Sequence, residues 1–277
     1  MRRGVAKMDG PQLQDSSLEV AGGVALMTFC RDDVRNALTG TALVEDVIAT
    51  LAWANQSAEV AVLVLTGEGA AFSSGGNVKD MQARSGLFHG DVFTIQENYR
   101  RGIQRLPLAL YDAEIPVIAA VNGSAIGAGM DLAGMCDLRL GSTRARFGQT
   151  FINLGIVSGD GGAWFLQRLV GIQKAAELCL TGRIVDAQEA LRLGLLLEVT
   201  QPADLLPRTL SLAEEIAAKP RTALRLTKRL LRQAQQQNLP DFLNICACFQ
   251  GMAHHSEEHQ VAVETFLAEQ TARRSAP

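Results

Sequence analysis

The sequence predicts an α/β fold in which a mostly parallel sheet forms first and helices close the chain. Two observations support this fold class. Short, continuous apolar runs are followed by glycine-rich turns, which is typical of strands buried on both faces of a parallel sheet. The last third of the chain carries helical patterns without strand signals. The chain has 277 residues, of which 47% are hydrophobic, so one large core can be buried.

Five strands are predicted from apolar runs rich in valine, isoleucine and leucine. The clearest two are uniformly apolar and end at turns that contain glycine. Because helices separate most of these short strands, a parallel sheet with right-handed crossovers is expected. The predicted strands are 17–21, 24–30, 61–65, 117–121 and 136–141.

Ten helices are predicted where apolar residues recur at helical spacing between turn signals. Their order indicates a tail at 1–16, an α/β core at 17–200 and a C-terminal helical region at 201–277. The predicted helices are 41–56, 91–112, 127–134, 161–169, 173–181, 186–193, 204–218, 220–236, 239–253 and 256–270.

Glycine-rich turns follow two of the predicted strands. The segment 71–80 reads AFSSGGNVKD, and the segment 117–137 carries Gly123, Gly127 and Gly129. Small residues let backbone N–H groups approach a ligand closely, and the start of a helix adds positive potential. Two such loops can direct two donors at one oxygen, the geometry of an oxyanion hole. The alternative is a pair of tight turns that only pack helices onto the sheet.

Five segments together resemble the crotonase (enoyl-CoA hydratase/isomerase) superfamily. AAFSSGGNVKDM is similar to its A-F-x-x-G-x-D-[IL] loop, with Asn77 in place of the usual aspartate. VNGSAIGAGMDLAGMCDLRL and ARFGQTFINLGIVSGDGGAWFLQRLVG resemble the next two signatures, and RIVDAQEALRLGLLLEV resembles the segment after them. RNALTGTAL is similar to the start of the family's first helix, and the match runs from roughly Leu18 to Leu267.

The resemblance implies a spiral of β-β-α turns with a helical C-terminal region used for trimerisation. It implies an acyl-coenzyme A substrate, no separate cofactor, and a homotrimer or a dimer of trimers. The two backbone N–H groups of the oxyanion hole carry over to Gly76 and Ala128, where the family usually has glycine at the second position. The residues that the resemblance places at the coenzyme are Arg35, Ala37, Ala71, Ser73, Gly75 and Lys79.

The resemblance leaves the acid and base open. Family hydratases use two glutamates, and their positions are occupied here by Asp131 and Phe151, so one carboxylate is shortened and the other is absent. Phe151 cannot transfer a proton and is expected to line the acyl pocket. Some isomerases of the family use an aspartate near Asp160, although our register places it on Gly159. For Asp131 the alternative to catalysis is a first-turn acid that complements the helix dipole, and for Asp160 it is a helix N-cap.

Other features give weaker signals. Five basic residues line one face of the helix at 220–236, either as a solvated face or as a patch for the coenzyme's phosphates. The histidines near 254–259 are expected to be solvated, so no metal site is predicted. The five cysteines are odd in number and lie in apolar contexts, which indicates core thiols in a reducing compartment and a cytoplasmic location.

The net charge of −3 disfavours nucleic acid as a partner, and no apolar run is long enough for a membrane span. The sequence therefore favours an enoyl-CoA hydratase/isomerase-type enzyme, with double-bond isomerisation slightly ahead of hydration. The alternatives are another crotonase reaction, such as acyl-CoA hydrolysis or ring cleavage, and a non-catalytic acyl-CoA- or RNA-binding relative.

Overall fold

Ten strands form two sheets in the computed structural model, which describes residues 10–275. Six strands make the larger sheet and four make the smaller one. The strands are β1 (Ser16–Ala21), β2 (Val24–Phe29), β3 (Val62–Gly67), β4 (Ala71–Ser73), β5 (Val117–Val121), β6 (Ser124–Ile126), β7 (Leu138–Ser142), β8 (Arg146–Gly148), β9 (Ile184–Asp186) and β10 (Glu198–Thr200).

The larger sheet has the order β1-β2-β3-β5-β7-β10. Only β1 and β2 pair antiparallel, while every other neighbouring pair in this sheet is parallel. Residues of β3 alternate between two hydrophobic clusters: Leu63 and Leu65 join the cluster on one side, Val62 and Val64 the cluster on the other. Burial on both faces explains why this strand is a continuous apolar run rather than an alternating one.

The smaller sheet has the order β4-β6-β8-β9 and gives the fold its spiral form. Each of β3, β5 and β7 in the larger sheet is followed by a three-residue strand in the smaller sheet. Helices then connect these strand pairs, so the repeating unit is the predicted β-β-α turn. The sequence analysis did not predict β4, β6, β8, β9 or β10, because three residues are too few to establish a periodic pattern.

Twelve α-helices complete the described residues. They are α1 (Leu43–Gln56), α2 (Val78–Ala83), α3 (Val92–Arg101), α4 (Arg105–Asp112), α5 (Ala128–Met135), α6 (Gly162–Val170), α7 (Ile172–Thr181), α8 (Ala187–Arg192), α9 (Leu205–Ala217), α10 (Arg221–Gln233), α11 (Leu239–His254) and α12 (Glu257–Ser275).

The predicted helix 91–112 is divided into α3 and α4. Gly102 leaves the helical conformation, with φ −104° and ψ −112°. Pro107 follows in the first turn of α4, and in a continuous helix its ring would clash with the carbonyl four residues earlier. The helix therefore breaks for a local reason, since Gly102 and Pro107 are both visible in the sequence.

The C-terminal helices differ in whether they pack against the core. α9 covers the outer face of the larger sheet, where Leu205 and Ala213 pack against residues of β3, β5 and β7. The first helix of the predicted C-terminal region thus belongs to the core. By contrast, α11 and α12 contain no buried residue within the described part of the chain and expose large apolar side chains, such as Phe266 at 59%.

The basic stripe of α10 is largely anchored by contacts with the rest of the protein. Lys228 is 6% exposed, and its Nζ lies 2.6 Å from the Ile115 carbonyl oxygen and 2.6 Å from Asp137 Oδ2. Arg232 donates to the Leu110 carbonyl, and Arg225 pairs with Glu114 at 2.7 Å. These contacts correct the interpretation as a solvated face. A cavity of about 430 Å³ is lined by Arg225, Lys228, Arg229 and Arg232, so the interpretation as a patch for phosphates stays a prediction.

The start of the described chain is held by hydrogen bonds. The backbone N–H groups of Gln14 and Asp15 donate to the carboxylate of Asp46, and Asp15 accepts from the N–H of Ala42 at 2.6 Å. Of the predicted tail at 1–16, residues 1–9 lie outside the described residues. Among residues 10–275, no helix is long and apolar enough to cross a membrane.

Candidate active site

The two glycine-rich loops meet at one edge of the smaller sheet. β4 and β6 are parallel neighbours, so their carboxyl ends lie side by side, and β8 is the next strand. Gly75 and Gly76 follow β4, Gly127 and Ala128 follow β6, and Gln149 follows β8. The register of the sheet therefore brings the two predicted donor loops together.

Close backbone approach explains the glycine at position 75. Its φ is +76°, and a Cβ there would lie 2.8 Å from the backbone nitrogen of Ala128. Any larger residue would push the two loops apart. Among the described residues, the N–H groups of Gly76 and Ala128 donate to no protein acceptor. Ala128 is the first residue of α5, where backbone donors have no partner within the helix.

Asp131 lies in the first turn of α5, a helix whose eight residues are all buried. Its side chain is 1% exposed. A Cβ at Gly162 would overlap the Asp131 carboxylate, so only glycine lets α6 pack this closely on the acid. Burial of a carboxylate is costly unless it is hydrogen-bonded or protonated, and this acid has both hydrogen-bond donors and an acidic neighbour.

Two donors that the sequence analysis missed hold Asp131. Gln149 Nε2 donates to Oδ1, and Ser158 Oγ lies 2.9 Å from Oδ2. Gln149 is 2% exposed, and its Oε1 has no partner among the described residues. The only sequence signal was for Ser158, which lies two residues before the singled-out Asp160. Gln149 follows β8, a strand that the sequence analysis did not predict.

Asp160 is the acidic neighbour of Asp131. It is 3% exposed, and its Oδ1 lies 3.4 Å from the same Ser158 hydroxyl oxygen. Burial, followed by the charge of Asp160, raises the pKa of Asp131 well above its usual range. Burial also raises the pKa of Asp160, although a hydrogen bond from Asp131 opposes this effect. Burial therefore favours the protonated form of both carboxyl groups, and the ionisation of each depends on the charge of the other.

The N-cap interpretation of Asp160 is wrong. α6 has Gly161 at its N-cap, with φ +95°, and no side chain there caps the helix. Asp160 instead turns its carboxyl group toward Asp131, and its Oδ2 is buried without a partner among the described residues. A buried acid that neither caps a helix nor pairs with a cation is typical of functional sites.

A cavity of about 550 Å³ reaches Asp160. Asp160 and Ser158 line it together with apolar and aromatic side chains. Tyr111 and Trp164 stack edge to face with ring centroids 5.7 Å apart, and Trp164 makes a similar contact with Phe165. An apolar cavity with a few polar groups at one end is the usual form of a small-molecule site. Its lining is Gln104, Pro107, Leu108, Tyr111, Ser158, Gly159, Asp160, Gly161, Trp164, Phe165 and Gln236.

The predicted coenzyme residues fall into two groups. Ala37, Ala71 and Ser73 are buried, and Ser73 Oγ donates to the Asn36 carbonyl at 2.7 Å, so they shape the loops. Arg35 and Lys79 are exposed near the same loops. Arg35 has φ +54°, and its carbonyl accepts a hydrogen bond from the N–H of Ser74.

Phe151 occupies the short 3-10 segment Thr150–Leu154. Its ring packs partly buried against the larger core and lies 3.6 Å from the position of a Cβ on Gly127. The ring thus borders the loop that carries Ala128, and the phenylalanine leaves no carboxylate at that position. Among residues 10–275, no group of three or more acids, histidines and cysteines is placed to hold a metal.

Comparison with known proteins agrees with the resemblance. The sequence model of the family described as enoyl-CoA hydratase/isomerase matches residues 19–273. The short-chain-enoyl-CoA hydratase of Clostridium acetobutylicum is 33% identical over 257 residues, which cover 92% of this chain and 95% of that protein. The crotonyl-CoA hydratase of Syntrophomonas wolfei is 33% identical over 256 residues, with the same two coverages.

Solved structures show the same fold. The crystal structure of an enoyl-CoA hydratase from Bacillus anthracis superposes with a TM-score of 0.86 at 29% identity and covers 92% of this chain and 97% of its own. That of an enoyl-CoA hydratase from Polaromonas sp. JS666 gives a TM-score of 0.85 at 28% identity, with the same coverages.

Proposed function

Because the chain belongs to the enoyl-CoA hydratase/isomerase family, we propose that it acts on the double bond of an enoyl-coenzyme A thioester with Asp131 and Asp160 as its acid–base pair. The observation that carries this proposal is a pair of buried acids that contact one Ser158 hydroxyl, with two backbone donors nearby that have no protein acceptor among the described residues. The pair is proposed to hold a single proton at neutral pH. The relatives named hydratase make hydration at least as plausible as isomerisation, so the preference drawn from the sequence is withdrawn.

The N–H groups of Gly76 and Ala128 are proposed to form the oxyanion hole for the thioester carbonyl. Negative charge grows on that oxygen when the double bond is attacked, and fixed donors stabilise it without reorganisation. The start of α5 adds a favourable dipole at Ala128. Loss of one such donor typically costs about 3 kcal/mol of transition-state stabilisation.

In hydration, the ionised carboxylate of the pair takes a proton from water while the water oxygen adds to the β-carbon. The protonated carboxyl group then gives its proton to the α-carbon, where the enolate carries its charge. Each step needs one acid and one base, and a pair that holds a single proton supplies both at neutral pH. Asp160 thereby takes the part of the carboxylate that Phe151 has replaced.

Double-bond isomerisation is the second candidate, and the absence of a carboxylate at position 151 favours it. In this reaction the carboxylate removes a proton from carbon, and a carboxyl group returns one at a different carbon, without water. The same pair serves both reactions. The access of water beside the bound acyl group decides between them.

Incubation with a panel of unsaturated acyl-CoAs, read by mass spectrometry and ultraviolet absorption, tests the proposal. A product heavier by one water is expected for 2-enoyl-CoA, and a product of unchanged mass with shifted absorption for 3-enoyl-CoA. A gain of water with release of free coenzyme A would instead indicate thioester hydrolysis. If no acyl-CoA of the panel reacts, the proposed function is wrong.

The coenzyme residues Arg35, Ala37, Ala71, Ser73, Gly75 and Lys79 are proposed to contact the nucleotide, the buried ones through the backbone. Lys79→Met is expected to raise KM about fivefold at low salt with kcat unchanged, since one exposed ion pair contributes up to about 1 kcal/mol. Lys219→Met, which removes an exposed lysine elsewhere, is the matched control and should change neither constant. An unchanged KM for Lys79→Met would exclude this lysine from the coenzyme site.

The protein is also proposed to assemble as a homotrimer or a dimer of trimers. The apolar side chains exposed on α11 and α12 support this assembly, because a monomer rarely leaves so much apolar surface in water. Sedimentation equilibrium is expected to give three or six times the chain mass, and a monomer at micromolar concentration would contradict it. The cytoplasmic location stays a prediction from the sequence.

A further inference from the structure

Ser158 lies between the two carboxyl groups of the proposed acid–base pair. It belongs to the loop that joins the 3-10 segment Thr150–Leu154 to α6. Its Oγ is 2.9 Å from Asp131 Oδ2 and 3.4 Å from Asp160 Oδ1, so both acceptors are within reach. A serine hydroxyl has one hydrogen to donate, and it can therefore serve only one of the two carboxyl groups at a time.

The direction of that hydroxyl is coupled to the position of the proton. A carboxylate that accepts the hydroxyl hydrogen is stabilised as an anion, and the other carboxyl group then keeps the shared proton. Gln149 donates to Asp131 and favours its anion, whereas burial and the charge of Asp160 favour its protonated form. The surroundings of Asp131 thus act in opposite directions on its ionisation.

One turnover of the proposed reaction exchanges the protonation states of the two carboxyl groups. The base has gained a proton and the acid has lost one, so the starting arrangement must be restored before the next substrate reacts. Asp131 and Asp160 are 1% and 3% exposed, so exchange of this proton with bulk water is hindered. Direct transfer between the two carboxyl groups is the shortest route.

We propose that Ser158 is a positioning residue whose hydroxyl turns from one carboxyl group to the other and so allows their proton to pass back between turnovers. The proton leaves the oxygen of one carboxyl group and binds to an oxygen of the other, and the negative charge moves in the opposite direction. Ser158 keeps its own hydrogen throughout. This proposal rests on the proposed function.

The titratable groups around the pair are few in the described part of the chain. Tyr99 packs against Gly159, and burial together with the charge of Asp160 raises its pKa. Cys179 is half-buried, and burial followed by the charge of Asp131 raises its pKa. Both stay neutral over the working range of the pair. Neither competes with Ser158 as a donor in the hydrogen bonds of the site.

The test compares the first turnover with steady-state turnover in Ser158→Ala. Under single-turnover conditions the rate should stay within about twofold of the natural protein, while steady-state kcat falls about tenfold and KM stays unchanged. A rapid burst of one product equivalent per site should appear. Ser158→Thr keeps a hydroxyl and should restore steady-state kcat to within about threefold. If Ser158→Ala lowered the single-turnover rate and the steady-state kcat equally, or lowered neither, the proposal would be overturned.

A second measurement does not depend on turnover. The infrared C=O band of the protonated carboxyl group can be followed against pH in protein with labelled aspartate, and Asp131→Asn identifies the band. Without the Ser158 hydroxyl, the anion of the pair loses a donor, so the band should persist to higher pH in Ser158→Ala. An unchanged titration would overturn the coupling of Ser158 to the proton. A shifted titration in a protein that turns over no acyl-CoA would contradict the proposed function and leave the coupling standing.

Discussion

Replacing Asp131 with asparagine is expected to lower turnover by about 100-fold or more, the range for loss of a general acid or base. Coenzyme affinity should change by less than about twofold, because Asp131 lies in α5 with its carboxyl group turned toward Asp160. Steady-state kinetics and calorimetry with coenzyme A measure the two effects separately.

The same substitution is expected to stabilise the protein at neutral and alkaline pH. Burial and the charge of Asp160 raise the pKa of Asp131, so the native state binds this proton more tightly than the unfolded chain. The contribution of the acid to stability is complete below its unfolded pKa of about 3.9 and is lost as pH rises through the folded value. The stability advantage of asparagine should therefore grow from about pH 4 upward, to about 1 kcal/mol or more.

Urea unfolding of both proteins at several pH values checks this sign. Asp241→Asn is the matched control, because Asp241 is a first-turn acid of α11 with no role in the site. It should keep full turnover and lose at most about 1 kcal/mol of stability. If Asp131→Asn behaves like this control, Asp131 serves only to complement the helix dipole.

Replacing Asp160 with asparagine is also expected to lower kcat about 100-fold. The pair loses one of its two proton-accepting groups, and an amide cannot replace it. The natural protein is expected to give a bell-shaped pH profile from the two ionisations of the pair. The pH profile of Asp160→Asn should lose one limb of the bell. The pKa of Asp131 should also fall, because the variant lacks the charge of Asp160 that raises it.

Asp186→Asn is the control that isolates catalysis from capping. Asp186 caps α8 by accepting the Glu189 N–H at 2.8 Å, and this is the N-cap role that the sequence left open for Asp160. Asparagine caps almost as well as aspartate, so this control should keep both turnover and stability. The double variant of Asp131 and Asp160 should be no slower than either single variant if the carboxyl groups act as one unit. Additive losses would show that they act separately.

The family and most of its framework could be predicted from the sequence. The apolar runs at β3 and β5 indicated strands because burial on both faces demands continuous hydrophobicity. The glycine at position 75 indicated close backbone approach, and a Cβ there would lie 2.8 Å from the backbone nitrogen of Ala128. Asp131 could be singled out because it directly follows the second loop.

The three-residue strands could not be predicted, although they carry the site. Their pairing depends on neighbours far apart in the chain, and no local pattern of three residues reports such a partner. The same reason applies to the basic stripe of α10. Its charge pattern was plain in the sequence, but only the packed core supplies the carbonyls and carboxylates that Lys228 and Arg232 contact.

Five of the six strands of the larger sheet, the two glycine-rich loops and the loss of a carboxylate at Phe151 could be read from the sequence alone. Only the tertiary structure decided that Asp160 is no cap but the acidic neighbour of Asp131, with Gln149 and Ser158 as their hydrogen-bond donors. These four residues come from three segments of the chain: α5, the end of β8 and the loop before α6. A carboxyl group's ionisation depends on its distance to other groups and on its burial, and neither quantity is encoded by any one segment.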